Sequence, residues 1–158
     1  MLDDSRFKIW LKSRQIGGSL ACAFEVVADA IHHEADWIIL SAGERQSLEF
    51  MEKVHRVARI FGQAVAHETG QPFIPETKAS QIRFPNGARI LALPANASTA
   101  RGYSANLVLD EFAFHENPED IWRAVYPIIT NPLRGNLKLR VISTPAGMNN
   151  KFYELWSE

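Results

Sequence analysis

The chain reads as an α/β protein in which a mostly parallel sheet is covered by helices on both faces. Three observations predict this. Strand-like and helix-like apolar segments alternate along the chain. Trp37 to Leu40 and Leu107 to Leu109 are apolar at every position, as strands buried on both faces require. Pro85-Asn-Gly87 separates two alternating segments, the strongest short-range hairpin signal.

Taken in order, residues 6 to 11 form a first strand, and Lys12 to Gly18 loop into a helix capped by Ser19, with Leu20, Phe24, Val27 and Ile31 on its apolar face. Trp37 to Leu40 are the second strand. A longer helix follows from Glu44 to about Ala66, turning Leu48, Met51, Val54, Ala58 and Phe61 inward, and its charged remainder reads as a solvated face. Gln81–Phe84 and Arg89–Leu93 make an antiparallel hairpin inserted beside the parallel strands. Pro94 to Ala105 is a loop. The Leu107–Leu109 strand leads to a helix over about 118–128, ended by Pro127 and Pro132, and Leu137–Ile142 is the last strand before a helix from Asn149 to Trp156. No repeat or linker interrupts this order, so residues 1–158 form a single domain. Its end, within a helix and with no further strand, suggests part of something longer.

With 158 residues, 46% of them hydrophobic and 22% charged, the chain can bury a real core and is not disordered. A formal charge of −1 exerts no global pull on nucleic acid, so DNA contact requires a local basic face or a partner. No cationic leader or apolar run of roughly 18 residues is present, which predicts a protein that stays in the cytoplasm and out of the membrane. Cys22 is the single cysteine, which excludes an internal disulfide or thiolate cluster, and its apolar neighbours make it a buried helix residue. Trp10, Trp37 and Trp122 read as core, His32 and His33 as solvent-facing, and His115 as a cap for the following helix.

The chemistry gathers where strands end. A small-residue loop between a strand and a helix presents unpaired N–H groups and the helix dipole to an anion. Lys12-Ser13-Arg14-Gln15-Ile16-Gly17-Gly18-Ser19 is such a loop. Against the phosphate-loop pattern it keeps the second glycine as Gly17 and the magnesium-binding hydroxyl as Ser19. Gly18 replaces the usual lysine, and Lys12 stands where the first glycine would be. A flexible ammonium at the loop entrance can still reach over phosphates, so Lys12 reads as a displaced phosphate-loop lysine, and Arg14 adds a second positive contact. Asp110-Glu111 end an apolar strand, where one carboxylate can hold magnesium and the other act on water. Ser143-Thr144-Pro145 end the next strand. The set describes an ATP-hydrolysing site of the phosphate-loop NTPase type, in a three-layer sandwich with a hairpin insertion.

With those residues assembled, the chain resembles the ATPase domain of large terminase subunits, the motors that package phage DNA, particularly the Mu-like prophage type. The resemblance covers nearly the whole chain. It rests on Lys12 to Gly17, Ser41 to Met51, Leu93 to Tyr103, Leu107 to Ala113, and Ser143 to Gly147 with Asn150, Phe152, Tyr153 and Trp156. It implies that Lys12 and the loop hold the phosphates of ATP, that Ser19 and Asp110 position Mg2+, and that Glu111 polarises the attacking water. Ser143 and Thr144 would sense the γ-phosphate. An arginine finger is implied too, with Arg101 acting on a neighbouring subunit and Arg14 in cis as the other choice.

Implied partners are double-stranded DNA, a portal protein, a small terminase subunit and further copies in a ring at the procapsid in the host cytoplasm. Relative to that family the upstream adenine-contacting segment and the C-terminal nuclease are missing, which suggests a truncated or split subunit. A helicase-like or recombination ATPase, or a catalytically silent fragment, are the competing readings. If Lys12 does the absent lysine's work, Lys12→Ala abolishes ATP turnover whereas Gly18→Ala is milder, and equal losses in a hydrolysis assay reject the displacement.

Overall fold

The computed structural model describes residues 5–101 and 103–158. Seven strands form one sheet: β1 (Phe7–Leu11), β2 (Trp37–Ser41), β3 (Glu76–Lys78), β4 (Gln81–Arg83), β5 (Arg89–Pro94), β6 (Asn106–Asp110) and β7 (Leu139–Ser143). Their spatial order is β1-β7-β6-β2-β5-β4-β3. The first five in that order pair in parallel, and β4 and β3 add an antiparallel edge. Helices α1 (Gly18–His33) and α2 (Glu44–Thr69) cover one face, and α4 (Pro118–Thr130) and α5 (Lys151–Ser157) the other; the short α3 (Ala97–Arg101) packs against α4.

Residue alternation sorts each central strand between the two layers. Trp37 and Ile39 of β2 join Cys22, Val26, Phe50, Met51 and Val54 beneath α1 and α2, whereas Ile38 and Leu40 join Leu107, Leu109, Val125 and Ile129 beneath α4. β2, β6 and β7 are buried at every position, so they carry no polar alternation. The expected hairpin forms with Ile82 opposite Ile90, and its turn closes through Gly87 N–H to the Phe84 carbonyl at 2.9 Å, with Gly87 at φ +94°.

Several local expectations are corrected. Ser19 does not cap α1: the helix starts at Gly18, Gly17 is the cap residue at φ +80°, and no side chain caps it. The buried face of α1 centres on Cys22, Ala23, Val26, Val27 and Ala30, so Phe24 is left 39% exposed against Phe61. On α2, Phe50 and Val57 are buried, and Leu48 and Phe61 only partly so. Pro127 does not end α4. Ile128 and Ile129 beyond it are buried, and that burial outweighs a proline cost of about 3 kcal/mol, so the helix runs on to Thr130 before Pro132. α3 interrupts the expected loop, and β3, exposed at all three residues, lacked any apolar signature.

α1 is fastened to the sheet by two carboxylates. Glu25 receives Lys8 Nζ at 2.7 Å and Arg140 Nη2 at 2.6 Å, with the Arg140 side chain fully buried. Asp29 receives Lys138 Nζ at 2.6 Å, the Trp37 indole N–H at 2.9 Å and His33 Nδ1 at 2.9 Å. Burial opposes ionisation at both, but the donors outweigh it and hold both carboxyls below their ordinary range. Removing one member of such a pair strands the other charge. Glu25→Ala therefore costs roughly 3–5 kcal/mol in urea unfolding, and the double change Glu25→Leu with Arg140→Met costs less than that single one.

Candidate functional site

Parallel register brings the informative residues to one rim. Leu11 lies opposite Ser143, Asp110 opposite Ile142, and Ser41 opposite Asp110, so β1, β7, β6 and β2 finish level with one another. The Lys12 N–H continues the ladder to the Ser143 carbonyl at 3.0 Å. Lys12, Glu111 and Thr144, which follow β1, β6 and β7, are thereby within one side chain's reach of each other.

Glu111 is the centre of that convergence. It lies immediately after β6 at φ +50°, a left-handed conformation that non-glycine residues adopt at a cost of about 1–3 kcal/mol. Lys12 Nζ donates to Glu111 Oε1 in an ion pair, and Glu111 Oε2 accepts from the Thr144 N–H at 2.9 Å and the Thr144 hydroxyl at 3.1 Å. Ser143 Oγ lies 3.5 Å from the same oxygen, donates to the Thr144 carbonyl at 2.8 Å and accepts from the Ala113 N–H at 3.1 Å. Burial opposes the Glu111 charge, but the Lys12 and Thr144 hydrogen bonds outweigh it and lower the carboxyl below its ordinary range.

Asp110 has the opposite environment. It is 5% exposed, and its Oδ1 lies 3.4 Å from Ser19 Oγ in the first turn of α1. Burial and the adjacent Glu111 charge raise its pKa to about 6, partly offset by Lys12, Lys53 and Ser19. A buried carboxylate short of positive charge beside a helix-end hydroxyl fits a hard divalent cation such as Mg2+, because both donors are oxygen. His115 does not cap α4. Its buried ring donates from Nε2 to the Asp110 carbonyl at 2.9 Å, and desolvation keeps it neutral by outweighing that carbonyl. It thus steadies the strand end that carries Asp110.

Between the loop and α2 lies a cavity of about 250 Å³ lined by Lys12, Ser13, Gln15, Ile16, Gly17, Gly18, Ser19, Leu20 and Lys53. Gln15 at φ +61° and Gly17 at φ +80° turn the loop around it. Arg14 is exposed and outside that lining, so the structure does not bring it to the cavity. Arg101 is exposed at the end of α3. Lys53 is the residue that sequence reasoning missed, having been counted with the solvated face of α2. Gly18 also gains a reason: a Cβ there would lie 2.6 Å from Lys12 Cδ, so only glycine lets the lysine stem lie across the helix start. Gly18→Ala consequently displaces Lys12, which removes the basis for expecting that variant to be mild.

A mostly parallel sheet with a glycine loop and an acidic pair on one rim defines the class: a phosphate-loop type α/β domain. Residues 9–158 match the family described as terminase large subunit, T4likevirus-type, N-terminal, and the chain belongs to that family. It is 32% identical over 150 residues to a probable terminase ATPase subunit of Haemophilus phage HP1 (strain HP1c1), across 93% of this chain and 22% of that protein. It is also 32% identical over 161 residues to a probable terminase large subunit, gp28, of Escherichia phage Mu, across 95% of this chain and 28% of that one. The chain thus spans under a third of the length of either relative. The large terminase ATPase domain of Thermus phage P74-26 superposes with a TM-score of 0.70 at 20% identity, over 96% of this chain and 64% of that chain, which shows a common fold.

The buried Asp110 predicts how stability depends on pH. The folded protein holds this proton up to about pH 6, whereas the ordinary value is 3.8. Stabilisation from the protonated carboxyl is therefore complete below pH 3.8 and lost as pH rises through about 6. In EDTA, the stability gained by Asp110→Asn should grow from near zero at acidic pH to at most about 3 kcal/mol at pH 8, measured by denaturant unfolding. A gain independent of pH assigns the effect elsewhere.

Proposed function

We propose that the chain is the ATPase module of a DNA-packaging terminase large subunit, hydrolysing ATP with Mg2+ to drive double-stranded DNA into a capsid. Membership in the terminase family supports the reading. The observation that carries it is the meeting of Lys12, Glu111 and Thr144 at the rim, beside Asp110 and Ser19. Relatives named as terminase ATPase subunits point to nucleotide hydrolysis, and this reading extends it to the present residues.

In this mechanism the loop N–H groups of Ser13 to Ser19 and the Lys12 ammonium bind the phosphates. Asp110 and Ser19 would hold Mg2+, which when bound offsets negative charge on the phosphate oxygens. Lys12 is ion-paired with Glu111. A phosphate gives Lys12 a second anionic partner, which frees Glu111 Oε1 to accept the proton of a water attacking in line. Thr144, bound to the other Glu111 oxygen, registers that change and passes it along β7, with Ser143 anchoring the turn. Arg101, exposed at the end of α3 in the connection between β5 and β6, would be the finger supplied to a neighbouring copy, with Arg14 the alternative in cis.

The assembly partners proposed are a portal protein, a small terminase subunit and identical subunits in a ring, working at the procapsid in the host cytoplasm. No helix among the described residues is long and apolar enough to cross a membrane.

The direct test is Mg-dependent phosphate release from ATP by the purified chain, with and without linear duplex DNA. Glu111→Gln is expected to retain ATP binding while hydrolysis falls by about two to four orders of magnitude, because only the proton acceptor is lost. Undiminished turnover reassigns the base.

A further inference from the structure

We propose that Lys53 of α2 is a second phosphate-binding residue, supplying its ammonium to the phosphates from α2 in the cavity it lines together with Lys12. The proposal rests on the phosphate-site reading above and extends it to a residue outside every recognised motif.

The argument starts from charge. Lys12 is the cation that the loop itself supplies to the cavity, and it is ion-paired with Glu111. Asp110 adds a carboxylate beside Ser19. A polyphosphate at the loop would therefore meet one ammonium already shared with Glu111, near two carboxylates on the same rim. Lys53 corrects that balance. It is half-buried, lines the same cavity as Lys12, Gly17 and Ser19, and among the described residues forms no ion pair. The one hydrogen bond given for its ammonium is a long 3.3 Å contact to the Glu49 carbonyl one turn earlier on α2. Its charge reaches the rim, where it acts on Asp110 together with Lys12.

The fold gives this arrangement a physical cause. α2 leaves the same rim after β2, and its buried face, Ser47, Phe50, Met51 and Val54, packs against α1 and the sheet. Lys53 lies roughly 60° around the helix from Phe50, just outside the buried face, and there it lines the loop cavity. A lysine there is pinned by its stem while its ammonium stays mobile, which suits an anion whose outer phosphate changes during turnover. The two lysines then have separate tasks. Lys53 supplies standing positive charge, and Lys12 divides itself between Glu111 and the nucleotide.

The test is calorimetric titration of the full chain with ATP and, separately, with inorganic tripolyphosphate. Lys53→Gln should weaken both by roughly tenfold, as expected for a charged hydrogen bond discounted for partial exposure. Lys53→Arg should restore affinity to within about threefold, and both variants should keep the melting temperature of the unaltered chain, which a purely structural lysine would not require. Unchanged affinity in Lys53→Gln, with the unaltered chain binding normally, overturns the assignment alone. Arginine that fails to rescue, alongside a lowered melting temperature, overturns it in favour of a packing role. If the unaltered chain binds neither probe, the phosphate-site reading falls and this inference with it.

Discussion

The Glu111 carboxylate is the interaction on which the site depends. One oxygen is bound by an ammonium from the end of β1 and the other by a backbone N–H and a hydroxyl from the end of β7, while its own backbone closes β6. Three strand ends are thereby cross-linked through one side chain. The strained backbone at Glu111 belongs to the same arrangement: β6 stops there and the chain turns, with the carboxylate meeting Lys12 and Thr144.

Two adjacent acids consequently acquire different chemistry. Glu111 is surrounded by donors and favours its charge, whereas Asp110, one residue earlier, is buried with a single hydroxyl at its oxygen and resists ionisation. Neither difference comes from the residue types. It arises because β6 ends between them, leaving Asp110 in the sheet beside α1 and Glu111 in the turn that faces β1 and β7. Ionising the buried Asp110 at neutral pH opposes folding, a cost that a functional cavity can carry when the rest of the domain is well packed.

The buried charges beneath α1 serve that packing. Glu25 and Asp29, one helical turn apart, engage Lys8 and Arg140 on one side and Lys138 and Trp37 on the other. They set the rotation and height of α1 relative to β1 and β7. The helix N-terminus at Gly18 and Ser19 is thereby presented to the rim, and backbone hydrogen bonds hold the loop at Lys12 and at Gly17.

Elements with strong local signals were readable without coordinates. The all-apolar β2 and β6, the Asn-Gly turn and the long periodic α2 follow from burial pattern and turn chemistry, and so do the pieces of the site that sit at strand ends. What escaped was whatever depends on neighbours distant in sequence. α3 and β3 are too short for periodicity, Pro127 is tolerated only because Ile128 and Ile129 are buried by other elements, and the rotation of α1 is set by ion pairs that no spacing reveals.

The amino-acid sequence alone determined the layered α/β class and the strand ends at which Lys12, Asp110, Glu111, Ser143 and Thr144 leave the sheet, because strand burial and strand-end residues are local properties of the chain. Tertiary structure alone decided that Gly18 makes room for Lys12, that Lys53 joins the cavity from another helix, and that Asp110 and Glu111 titrate in opposite directions. Those outcomes depend on distances and desolvation across elements tens of residues apart, and neither is encoded in the order of residues until the sheet has brought them together.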